Sequence, residues 1–91
     1  MSRKEKVKSL IQQLADELYE FVKEKEPLFK DGWVPAATIK DELELNFVCV
    51  PKANKQYGSK GWVFAALARI LEDQGRIEYK KTGNRSFCKT K

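Results

Sequence analysis

The chain has 91 residues, 42% of them hydrophobic and ten of them aromatic, enough for one small core and too much for a disordered chain. A chain of this length buries only about two-thirds of its unfolded surface, so a single domain over residues 1–91 with modest stability is expected. The net charge is +5, there is no histidine, and no apolar run approaches the roughly 20 residues of a membrane span, which excludes a transmembrane segment and argues against a metal centre.

The first helix has a marked start. Ser2 and Glu5 match the S-x-x-E capping box, in which each side chain satisfies an orphan amide at the other position. Val7, Leu10, Ile11, Leu14, Leu18, Phe21 and Val22 then recur at helical spacing on one stripe, and the helix is expected to end before Pro27. The stripe covers only about two heptads, so a core-facing helix is the expectation and a dimer helix the alternative. Arg3, Lys4, Lys6 and Lys8 begin this helix, where cations oppose the helix dipole; they form either a basic arm or a solvated helix start. Asp16, Glu17, Glu20, Glu24 and Glu26 read as a solvated face rather than acid–base catalysts, because no histidine or metal motif accompanies them.

Asp31-Gly32 punctuates a turn, and Trp33-Val34 fits a short strand. Pro35 suits the first position of a second helix over Ala36–Leu45, with Ile39 and Leu43 inward and Asn46 as the stop. Phe47-Val48-Cys49-Val50, closed by Pro51, fits a short strand and a buried loop equally. The loop that follows, residues 52–61, holds three lysines, no acid, one aromatic and two glycines, with Ser59 a candidate N-cap.

A third helix is expected over Trp62–Gln74, with Val63, Ala66, Leu67, Ile70 and Leu71 as its core stripe and Gly75 as its C-terminal cap. The opposite face is then Gly61, Ala65, Ala68 and Glu72, with Arg69 and Trp62 to one side. That set is poor in the Arg, Lys, Asn, Gln and Ser side chains that read base edges. Trp33 and Trp62 read as core or rim packing, the indole of Trp62 taking the space that Gly61 leaves. Two ribbon strands follow, Arg76–Lys81 and Arg85–Lys89, joined by Thr82-Gly83-Asn84, with Phe87 facing away from Ser86 and Cys88. From Arg76 to Lys91 the chain carries six bases against one acid, Glu78.

Charge is polarised along the chain: residues 1–15 carry four bases and one acid, residues 16–44 four bases and nine acids, and residues 52–91 ten bases and three acids. One basic and one acidic face are expected. Cys49 and Cys88 read as reduced thiols of an intracellular protein, cytoplasmic or associated with nucleoid or nucleus, with a single disulfide between them as the alternative. Neither has the histidine partner of an activated nucleophile, and no enzyme and no cofactor are expected.

Helix, short strand, helix, loop, helix and basic ribbon, carried by Gly32-Trp33-Val34, by Leu67…Ile70-Leu71…Gly75-Arg76-Ile77 and by the Tyr79–Phe87 hairpin, resemble the winged-helix domain, a variant of the helix-turn-helix, over nearly the full length. The resemblance implies an α+β fold of three helices, a short strand and a C-terminal two-stranded wing. It also implies double-stranded DNA binding and a role in transcription regulation. The residues expected at nucleic acid are Lys52, Asn54, Lys55, Gln56, Tyr57, Ser59 and Lys60 at the entrance of the third helix, Arg69 on it, and Lys80, Lys81, Asn84, Arg85 and Lys89 on the wing. Tyr57 reads equally as a stacking residue and as a loop anchor, and the wing lysines have a second reading as edge protection. A protein-interaction module built on Gly61, Ala65 and Ala68, a homodimer, and RNA binding are the alternatives.

Overall fold

In the computed structural model, which describes residues 2–45, 51–52, 55–56 and 61–91, the Ser2 hydroxyl oxygen accepts the backbone N–H of Glu5 at 3.2 Å and starts helix α1 (Arg3–Lys25). Two short 3-10 turns, Glu26–Leu28 and Lys30–Gly32, reverse the chain into strand β1 (Val34–Pro35). Helix α2 (Ala36–Glu42), a short ribbon of β2 (Pro51–Lys52) and β3 (Lys55–Gln56), helix α3 (Trp62–Asp73) and strands β4 (Ile77–Thr82) and β5 (Arg85–Thr90) follow. The fold is α+β: three helices with a three-stranded antiparallel sheet in the order β1-β5-β4. Among the described residues, no helix is long and apolar enough to cross a membrane.

The core joins every one of these layers. Ala15, Leu18 and Val22 of α1, Ile39 of α2, Phe64, Leu67 and Leu71 of α3, Val34 of β1, Ile77 of β4 and Cys88 of β5 are all buried. Polar contacts fix the layers against each other. The Thr90 backbone N–H and Oγ1 hydroxyl both donate to Glu26 Oε2 at 2.6 Å, tying the last strand to the end of α1. Lys25 and Glu42 pair at 3.0 Å between α1 and α2.

Four expectations are corrected. Only the C-terminal half of the α1 stripe is buried; Val7, Leu10, Ile11 and Leu14 are exposed at 47%, 50%, 41% and 54%. Helix α2 ends at Glu42, not Leu45, because Glu44 turns left-handed at φ 55° and the Leu45 N–H reaches back to the Lys40 carbonyl at 2.7 Å, closing the helix end. Pro35 is the extended residue before α2, not its first turn. The residue that caps α3 is Gly61, at φ +78°, and not Ser59, which lies outside the described residues with Asn46 and the 47–50 run.

The α3 stripe is also rotated. Phe64 and Ala68 are buried beside Leu67 and Leu71, whereas Ala66 is exposed. The end of α3 is as expected: at Gly75 (φ +71°) the Gly75 and Arg76 N–H groups donate to the Glu72 and Leu71 carbonyls at 2.9 Å each.

Candidate nucleic-acid interface

The register of the β4–β5 hairpin places its side chains on two faces. Thr82 pairs with Arg85, so the connection is the two residues Gly83-Asn84, and Gly83 alone of the two takes a positive φ, +61°. Alternation then puts Tyr79 and Lys81 on the face of Cys88, toward α3, and Glu78 and Lys80 on the face of Phe87 and Lys89.

On the α3 side lies a cleft of about 450 Å³ between the start of α2, the start of α3 and the hairpin tip. Thr38 and Lys40 come to it from α2, Gly61, Phe64 and Ala65 from the α3 entrance, and Tyr79, Asn84, Arg85 and Ser86 from the hairpin. The Lys40 stem crosses Gly61 and Phe64. Its Nζ is 5.9 Å from the Phe64 ring centre, and a Cβ at Gly61 would meet Lys40 Cδ at 2.7 Å. Gly61 therefore makes room for Lys40 as well as supplying the positive φ, a use different from the indole space expected of it. The cleft offers two cations, an amide, two hydroxyls and the exposed Tyr79 ring, a donor-rich set suited to phosphate oxygens and base edges.

Beside it, Ala65, Ala68, Arg69, Glu72 and Tyr79 line a shallower hollow of about 210 Å³. Arg69 Nε donates to Asp73 Oδ1 at 3.1 Å within α3. The helix thus presents an ion-paired cation and the Glu72 carboxylate to this side.

The other face of the hairpin carries a cation–π stack. Lys80 Nζ lies 4.3 Å from the Trp33 ring centre and 5.6 Å from that of Phe87, and Lys89 Nζ lies 5.6 Å from Trp33. The expectation that Lys80, Lys81, Arg85 and Lys89 form one clamp is corrected: alternation puts Lys81 on the Cys88 face and Lys80, Arg85 and Lys89 on the Phe87 face, Arg85 reaching the cleft only because it stands at the hairpin tip. Arg76 is an internal staple, with Nη1 donating to Asp16 Oδ1 at 2.6 Å and its guanidinium centre 4.5 Å from the Tyr19 ring.

Lys52, Lys55 and Gln56 lie on β2 and β3; Asn54, Tyr57, Ser59 and Lys60 lie outside the described residues. Lys40, Thr38 and Tyr79 were missed by sequence reasoning. Lys40 sits in an acidic stretch and alternates with core positions of α2, so nothing in the local pattern marks it.

Burial pushes the Cys88 thiol up to about 12, the Glu72 charge adding to the shift, so it stays protonated at neutral pH and carries no nucleophilic chemistry. Among the described residues no group of three or more acidic or thiol side chains is arranged to hold a metal ion. Comparison with known protein families, with curated proteins and with solved structures returns no match for this chain.

Proposed function

We propose that the chain is a winged-helix module that binds double-stranded DNA through the cleft between α2, α3 and the wing. The observation that carries this reading is the sheet order β1-β5-β4 with the hairpin directly after α3. That topology holds Asn84 and Arg85 beside Lys40 at the α3 entrance. Binding is dominated by backbone contacts, because the outward face of α3 supplies Ala65, Glu72 and an Arg69 already paired with Asp73. Asn84 and Arg85 carry what base reading there is. A role in transcription regulation follows from such binding.

Titration of a labelled duplex at several salt concentrations tests the reading. About four phosphate contacts give a slope near −3.6 in log K against log salt, so a fourfold rise in salt weakens binding by roughly 10²-fold. Arg85→Glu lowers affinity at least tenfold with an unchanged circular dichroism spectrum. A flat salt dependence, or an Arg85→Glu variant that binds as well as the parent, overturns the proposal. Single-stranded DNA and RNA competitors that displace the duplex at equal concentration replace it with an RNA-binding or general nucleic-acid reading. The small-residue protein-interaction face loses its support, since Gly61 and Ala68 are buried.

A further inference from the structure

Helix α1 has two halves of opposite character. In the first, Val7, Leu10, Ile11 and Leu14 are exposed at helical spacing, so a contiguous apolar strip faces solvent. Four bases, Arg3, Lys4, Lys6 and Lys8, border it, and all are exposed. In the second half the stripe continues into an apolar groove of about 310 Å³, floored by Leu14, Leu18, Phe21, Leu43, Leu45 and Leu67. Its rim is acidic: Glu17, Glu20 and Glu24. One end of the helix is thus apolar with a basic border, and the other is an apolar groove with an acidic border.

We infer that two copies of the chain pair through α1 in antiparallel orientation, about a two-fold axis near Leu14. Each copy's Val7 and Leu10 then enter the other's groove beside Phe21 and Leu18, and Leu14 meets its own counterpart on the axis. The same alignment sets Lys6 against Glu20 and Arg3 against Glu24 of the other copy, twice over by symmetry. An isologous contact of this kind closes on itself and leaves no second apolar strip to propagate. The parallel arrangement is disfavoured, because it stacks four bases on the same four bases and aligns the helix dipoles. The antiparallel one places the partner's carboxylates beside the amino end of each helix, where negative charge is favoured. The occupant of the groove is accordingly a second copy, whose own strip supplies both the apolar side chains and the opposite charge.

Sedimentation equilibrium of the full chain without DNA, from about 1 to 200 µM, reads this directly, and the outcome is separate from that of the duplex titration. A dimer is expected within this range. Leu14→Glu places two carboxylates on the axis and yields a monomer, its folding checked by circular dichroism. Lys6→Glu and Glu20→Lys each weaken the dimer by about tenfold, from two lost rim pairs plus repulsion, and the double variant Lys6→Glu/Glu20→Lys restores it. A chain that stays monomeric throughout, a dimer indifferent to Leu14→Glu, or a double variant no tighter than the singles overturns the inference.

Discussion

Arg76 shows how a single residue changes its meaning between sequence and structure. It opens the basic ribbon and adds to the excess of cations there, yet its guanidinium is spent on Asp16 of α1 at 2.6 Å and on the Tyr19 ring. The Arg76 hydrogen bond, followed by that from Gln12 Nε2 at 3.0 Å, holds the Asp16 carboxyl below its ordinary value of 3.8. A carboxyl whose pKa is lower in the folded state stabilises the fold above its unfolded pKa, and that contribution is lost as pH falls through the folded value. Asp16→Asn is therefore expected to lower the urea midpoint at pH 7, and the gap to the parent closes as the pH drops below about 3.8. A gap that persists unchanged at pH 2 would show that Asp16 acts through packing rather than charge.

At the level of elements, the strongest signals were turn and cap chemistry. The Ser2 cap, the Gly83 turn and the Gly75 helix end all lie where the sequence places them, because each depends on local backbone demands that few residue types meet. Gly75 isolates one such demand. A Cβ there meets nothing within 4 Å, so Gly75→Ala tests backbone strain alone and is expected to cost about 1 kcal/mol, read as a lower denaturation midpoint with unchanged spectra. An unaltered midpoint would mean that the helix end relaxes freely. The failures have a different cause. The α3 face was misassigned because alanines mark neither side of a helix, so Ala66 and Ala68 exchanged roles. The end of α2 was missed because Glu44 adopts a left-handed conformation that its residue type does not announce. The candidate cleft was legible in part: Asn84 and Arg85 follow from their place at the hairpin turn, whereas Lys40 reaches them only through the packing of α2 on β5.

Across the whole molecule, the count of basic residues in the last third overstates what one partner meets, because the sheet divides them. Lys81 is on the α3 face and Arg85 lines the cleft from the hairpin tip, whereas Lys80 and Lys89 cover Trp33 on the other face. Arg85 alternates with Phe87 and Lys89, so its place at the cleft comes from the hairpin tip and not from the face of the sheet, and it makes no contact with Trp33 like those of Lys80 and Lys89. The two pairs are therefore expected to fail in different assays. Lys81→Gln with Arg85→Gln weakens duplex binding and reduces the steepness of the salt dependence by about 1.8, the share of two phosphates, while leaving stability nearly unchanged. Lys80→Gln with Lys89→Gln removes the cation–π contacts to Trp33 and lowers stability by about 1–2 kcal/mol, with less than a twofold change in duplex affinity. Urea titration and duplex titration of the two double variants separate the roles. The reverse pattern, with binding lost from the Lys80 and Lys89 pair, would move the nucleic acid to the Trp33 face and make the α3 cleft a structural hollow.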